Sequence, residues 1–415
     1  LQGDWSSDVC SSDLNKIKVL FLLAVFTALP ELGFAQDGLQ VFGFTQAYYT
    51  SFSNTWTPAP PAGEEDYKYN HMGIGQLNLL FNNNFGDDFS AFINFELTNN
   101  YSSSKGFGSF NLQEAYFKWD GPDYLKVKFG SVIPQFNGLY QVYNKTPLMP
   151  FLVRPKLYEV NMENLVDIFD ILPQKALLHI NGTFPLEKAS IEYSAFLTNP
   201  VNKFISSPNN DLIPGYVSYG QSAVNYVGLG GRLGFNYGGF NVGVSVSADK
   251  DNKRRFISDV NGNEVDLGDL LRTRLGFDFD FNFAGFNLKG EYLKVSSKVT
   301  SDIQDSLNAW NNADPYYIGN SFDKEFYYVL LQYNITEKLF AYTMYDYLTD
   351  KVDPFFFGLE GYYGIHVGGG YNLNDNIVLK AQYILNFAKY DVGTVVDPVR
   401  DFRENNFSIG ASIMF

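Results

Sequence analysis

Three histidines, His71, His179 and His366, are the only side chains of the sequence that ordinarily titrate near neutral pH. A serine-type hydrolase needs a nucleophile, a base and an acid within hydrogen-bond reach. No serine stands at a recognisable spacing from any of them, so each reads as a polar side chain rather than a general base. The only cysteine, Cys10, lies in a terminal stretch set aside below, which removes thiolate chemistry. Asp259, Asn261 and Asn263 have the alternate spacing of a calcium loop, but position six is Glu264 instead of Gly and position twelve is Leu270 instead of Glu. A plain polar loop is expected there. No Gly-rich phosphate cradle follows a strand and opens a helix, and neither a metal nor a cofactor is expected.

What remains is the chemistry of charge and of aromatic faces. Alternation puts Lys118, Lys126, Lys128, Lys175, Arg232, Arg272, Arg274, Lys289 and Lys380 on the same face as Glu96, Glu114, Glu192, Asp278, Asp280, Glu291 and Asp346. The two signs nearly balance, so no strong net field results; facing charges across a narrow opening set a transverse field that orients polar solutes. The expected pore-lining set is Glu96, Glu114, Lys118, Lys126, Lys128, Arg154, Lys175, Arg232, Arg272, Arg274, Asp278 and Asp280, with Lys126, Lys128 and Arg154 near enough for a local anion site. Phe42, Phe44, Tyr48 and Tyr116 form an aromatic ladder able to stack on sugar rings, or simply to fill space.

Such residues need elements that turn successive side chains to opposite faces. Strands with this two-residue period are expected near 39–49, 72–81, 89–97, 110–119, 124–132, 175–184, 189–197, 226–237, 240–249, 270–281, 286–296, 324–333, 339–348, 362–371, 377–387 and 406–415. The last is the cleanest: Phe407, Ile409, Ala411, Ile413 and Phe415 share one face, Ser408, Gly410 and Ser412 the other. Connections alternate between tight turns, such as Gly238-Gly239 and Ala284-Gly285, and long polar loops. That cadence predicts an all-β fold, a 16-stranded antiparallel transmembrane β-barrel with one face in lipid and the other lining a lumen. A soluble β-sandwich is the rival, but one unbroken series of hairpins over some 380 residues is large for a single sandwich.

Asp4 to Leu14 reads like a translated sequencing adapter, so residues 1–14 are treated as an artefact outside the fold. Lys16 and Lys18, the apolar run Val19 to Leu29, and Gly33-Phe34-Ala35 predict a signal peptide over 15–35, cleaved before Gln36. A single barrel domain over 36–415 follows. Removing three aspartates with the first stretch and the net +1 of the second takes the formal charge from −15 to −13. An acidic chain is a poor partner for nucleic acid, whereas a lipopolysaccharide surface bridged by divalent cations tolerates acidic loops. The 39 Phe and 29 Tyr are enough to supply interfacial girdles.

The hairpin cadence breaks once, at Pro134 to Pro173, a length that ordinary hairpin loops do not reach. Phe129-Gly130-Ser131, Pro134, Phe136, Gly138-Leu139-Tyr140, then Thr146 to Phe151 and Arg154-Pro155, with the strand count, the signal and terminal Phe415, resemble 16-stranded porins of the phosphate-selective porin superfamily and related sugar porins. The resemblance implies that 134–173 folds into the barrel as a constriction loop. It further implies a homotrimer in the bacterial outer membrane, recognition of the Phe415 end by the barrel-assembly machinery, and passive diffusion of small hydrophilic solutes (ions, small anions or sugars) without catalysis. Only eight arginines depart from the basic lining of anion-selective members. The alternative is a plugged or loop-binding barrel acting as a receptor or structural protein.

Overall fold

In the computed structural model the described residues are 38–57, 65–98, 109–159, 171–198, 227–251, 256–258, 264–266, 270–298, 321–350, 358–391 and 400–415. Residues 1–14, expected to be an artefact, residues 15–35, expected to be a signal peptide, and the calcium-like loop at 259–263 lie outside them. The first half of the chain contributes β1 (Leu39–Thr57), β2 (Glu65–Phe85), β3 (Phe89–Thr98), β4 (Ser109–Asp120), β5 (Lys126–Val132), β6 (Ala176–Pro185), β7 (Ala189–Thr198), β8 (Gly228–Tyr237) and β9 (Phe240–Asp251). Two three-residue strands, β10 (Phe256–Ser258) and β11 (Glu264–Asp266), pair with each other apart from the rest. Then come β12 (Leu270–Phe283), β13 (Phe286–Lys298), β14 (Ser321–Asn334), β15 (Leu339–Asp350), β16 (Gly358–Asn374), β17 (Ile377–Asp391) and β18 (Arg400–Met414).

Apart from β10 and β11, every strand pairs with its neighbours in chain order, and β1 closes on β18. The result is a closed antiparallel barrel of sixteen strands, so no edge is left unpaired. At the seam Thr50 faces Ser408, and Gly43 exchanges both backbone hydrogen bonds with Phe415 at 2.8 and 2.9 Å. All sixteen expected strands are present. Several run further than alternation indicates: β1 continues to Thr57, β2 begins at Glu65 and β18 at Arg400. A ladder is held by backbone hydrogen bonds, so it continues where the side chains no longer alternate in polarity.

The tight turns carry the local chemistry that hairpins need. Gly238 has φ +58°, and Ala284 and Gly285 have φ +47° and +82°, left-handed values that let a two-residue turn follow the twist of its strands. Alternation then sorts the faces. On β12, Leu275 and Phe277 are 51% and 43% exposed, while Arg272, Arg274 and Asp278 are buried. On β18, Phe407 and Ile409 are exposed and Asn406 and Ser408 buried. The apolar set therefore points outward around the ring and the polar set inward, the reverse of a water-soluble protein.

The inner face also holds the apolar cluster. Phe136, Leu139, Tyr140, Tyr143, Phe151, Leu157 and Tyr158, all from the segment after β5, pack with Leu293, Phe326, Tyr328, Met344 and Tyr362 of β13–β16. Tyr158 meets Phe326 edge-on at 6.0 Å between ring centres. Two short 3-10 turns, Tyr143–Leu148 and Lys156–Tyr158, shape this segment.

Candidate functional site

The segment from Ile133 to Glu159 has little regular structure of its own, so its backbone polar groups need partners elsewhere. Inner-face side chains supply them. The amide of Gln46 (β1) donates to Leu152 O at 2.8 Å, and that of Gln76 (β2) to Asn144 O. Glu114 (β4) accepts Ile133 N–H at 3.3 Å, His179 (β6) accepts Gln135 N–H at 3.3 Å, and Ser194 (β7) donates to Gln135 O at 3.0 Å. Ser245 (β9) accepts Asn137 N–H at 3.0 Å, and Glu291 (β13) accepts Leu139 N–H and, at 2.8 Å, the hydroxyl of Tyr158. Asp346 (β15) accepts Lys156 N–H at 2.6 Å. These strands lie all the way round the ring.

β17 holds the segment most firmly. Gln382 Oε1 accepts the N–H groups of Leu152 and Val153, both at 2.8 Å, and its Nε2 donates to Val153 O at 3.1 Å. Lys380 Nζ donates to Pro147 O and Met149 O at 2.9 and 2.5 Å. Beside them, the space lined by Arg154, Lys156 and Glu159 of the segment and by Tyr362, His366 and Asn386 of the wall is about 10 Å³, room for one water at most. Across the ring, a Cβ on Gly276 would strike the side chain of Asn137, so only glycine lets the segment lie this close to β12.

Most of the charges expected to line the lumen are buried or half-buried, and several are paired with opposite charges. Arg232 binds Asp278 through two bonds, 2.8 and 2.6 Å, with Glu192 3.7 Å away. Arg272 and Arg274 share Asp249 at 2.9 and 2.8 Å, and Arg274 also donates to Ile171 O at 2.8 Å. Lys118 lies 2.6 Å from Asp120 and Lys126 3.9 Å from it; Lys289 pairs with Asp280 at 2.9 Å. Lys175 donates to Leu112 O at 3.0 Å, and Glu96 is buried.

The proposed grouping of Lys126, Lys128 and Arg154 into one anion site finds no support in these contacts: Arg154 bonds to Glu159 at 2.8 Å, and Lys128 sits over the Tyr116 ring at 4.9 Å. Nor does the aromatic ladder beyond Phe42 offer rings to a solute. Phe44 and Tyr48 are buried at 3% and 5%, and Tyr116 is stacked on Phe92 at 5.1 Å, while Phe42 at the strand's start is exposed. His179 and His366 have structural contacts too: His179 accepts the Gln135 N–H. His366 contacts Asp346 at 3.0 Å through Nε2 and Gln382 at 2.9 Å through Nδ1, which leaves neither ring nitrogen for a substrate.

Gln46, Gln76 and Gln382 are inner-face residues without charge, and Asp249 is an inward carboxylate outside the expected set. Asp249 shares the parity of Ser245 and Ser247, and Gln382 that of Lys380, so the same alternation marks them as inward. Among the described residues no group of three or more His, Cys, Asp or Glu could hold a metal ion.

No family model and no curated protein matches the chain. Solved structures do resemble it in fold. The outer membrane channel DcaP of Acinetobacter baumannii superposes with a TM-score of 0.53 at 12% identity, covering 92% of this chain and 99% of that one. OmpF of Salmonella typhi gives 0.53 at 14%, covering 91% and 97%. An anion-selective porin from Comamonas acidovorans gives 0.52 at 12%, covering 91% and 99%.

Proposed function

We propose that the chain is a porin of the bacterial outer membrane, passing small hydrophilic solutes passively down their gradients. The observation that carries this is the inversion of polarity on a closed sixteen-stranded barrel, apolar outward and charged inward. That is the arrangement a bilayer selects, because lipid cannot satisfy a polar side chain or an open strand edge. The described part of the segment, from Pro134 to Glu159, acts as the constriction that narrows the lumen, and the resemblance around residues 129–155 points to the phosphate-selective superfamily and its sugar-porin relatives. The fold's likeness to a channel and to porins agrees with this reading. Outer-membrane lipid and lipopolysaccharide surround the barrel, the assembly machinery takes the Phe415 end, and the chain works as a homotrimer without catalytic residues.

One observation favours a second reading, a plugged barrel: the segment is bonded to strands on every side. Planar-bilayer recording of the purified protein decides between them. Current steps of constant size are expected, and they should grow in Gln382→Leu, which removes three anchors of the segment. Silence in both proteins would establish the plug.

The pairing of inner charges predicts weak ion selectivity. Reversal potentials in a salt gradient should be small, and Lys126→Glu should move them only slightly toward cations. A strong anion preference that Lys126→Glu abolishes would show that the lysines on β4 and β5 dominate the pore.

A further inference from the structure

His366 on β16 stands between two anchors of the segment, and the direction of its hydrogen bonds is fixed by its neighbours. Gln382 Oε1 accepts the N–H groups of Leu152 and Val153, both at 2.8 Å, which settles which end of that amide is oxygen. The nitrogen end donates to Val153 O at 3.1 Å and to His366 Nδ1 at 2.9 Å. Nδ1 is therefore an acceptor without a proton. The ring proton is on Nε2, donated to Asp346 Oδ1 at 3.0 Å. The other oxygen of Asp346 accepts Lys156 N–H at 2.6 Å. A neutral imidazole thus completes one chain of bonds that starts at Leu152 and returns to the segment at Lys156.

A second proton on the ring has only Nδ1 to go to, and there it would point at the amide N–H of Gln382, donor against donor. The ring has no room to turn away: His366 and Asp346 are 2% and 0% exposed, and a Cβ on Gly364 would strike both. Turning the amide end for end would set its NH2 against the N–H groups of Leu152 and Val153. Either way the three bonds of Gln382 to the segment are lost together. The charged groups around the ring are Asp346 on β15, Arg154, Lys156 and Glu159 of the segment, and Glu404 on β18; Tyr362, Ile384 and Asn386 of β16 and β17 are uncharged. Arg154 is bonded to Glu159, which leaves Asp346, in direct contact, as the counter-ion of an imidazolium. His179 faces a cation instead, Lys128 in the β5–β6 register. We propose that His366 is a pH switch: acid adds a proton at Nδ1, Gln382 lets go of Leu152 and Val153, and the constriction loosens on the β17 side. The effect on current rests on the porin reading, but release of the segment needs no open pore.

Bilayer recording and hydrogen exchange of the full chain test it together. Between about pH 7.5 and 5, where an imidazole ordinarily gains its second proton, current steps should grow in the parent. They should keep their size in His366→Gln, whose amide can accept from Gln382 and donate to Asp346 but takes up no charge. In Gln382→Leu they should be large at pH 7.5 already and stay so on acidification. Amide exchange in the peptide that holds Leu152 and Val153 should run roughly tenfold faster in the parent than in His366→Gln at pH 5, the protection due to about one hydrogen bond. At pH 7.5 the two should exchange alike. Equal exchange at pH 5, acid growth of the steps that persists in His366→Gln, or acid-sensitive steps in Gln382→Leu would each overturn the proposal. Acid-dependent exchange in a protein that stays silent in bilayers would sink the porin reading and leave the switch standing.

Discussion

Replacing Arg232 by methionine should destabilise the folded barrel by about 3–5 kcal/mol, the cost of stranding one partner of a buried ion pair. Arg232 and Asp278 have side chains only 5% and 7% exposed, and they share two hydrogen bonds across the inner wall. The methionine fills much of the volume of the arginine but leaves the carboxylate of Asp278 without its cation. Gly234 and Gly243 flank the guanidinium so closely that a Cβ on either would collide with it, so the site is shaped for this one side chain. The double variant Arg232→Met with Asp278→Leu should recover most of the loss, because it removes both charges together. Reversible denaturant unfolding in lipid vesicles measures both. A single-variant loss below about 1 kcal/mol, the level of solvated pairs, would mean that water reaches the pair and screens it.

Phe277→Arg should cost about 2–4 kcal/mol in the same assay if its position is near the middle of a bilayer, where an outward-facing cation is most expensive. Phe277 is central in β12 and points outward, 43% exposed. An exposed position on a water-soluble protein would absorb the same change within about 0.5 kcal/mol. The size of the effect therefore reports the solvent outside the barrel. A variant as stable as the parent, or a parent that folds as a monomer without detergent or lipid, would refute the membrane assignment and every transport role built on it.

The strands were legible because one physical rule, opposite solvents on opposite faces, is written into alternate residues from Phe42 to Phe415. Their outer ends were not. Beyond the apolar belt, as in 65–71 of β2 and 400–405 of β18, hydrogen bonding continues without that contrast. Arg272, Arg274, Asp278 and Lys380, which parity turns away from lipid, are buried.

Parity could not supply partners, since a partner is set by the register of neighbouring strands and by what enters the lumen. Asp249 meets Arg272 because those two residues are opposite in the β9–β12 register. Three anchors of the segment come from one amide, Gln382, that carries no charge to draw notice. Whether an aromatic can meet a solute depended likewise on packing: Phe44 and Tyr48 are covered, whereas Phe340, two residues past the turn between β14 and β15, borders a cavity.

The amino-acid order by itself determined the number of barrel strands, the alternation of their faces and the one long departure from the hairpin series, because these follow from local periodicity and turn chemistry; the separate pair β10 and β11 carries no such signal. Only the closed tertiary structure decided which charges cancel, how the departing segment is anchored around the ring and where open space remains. Those outcomes depend on distances between residues far apart in the chain, and a single strand carries no information about its distant neighbours.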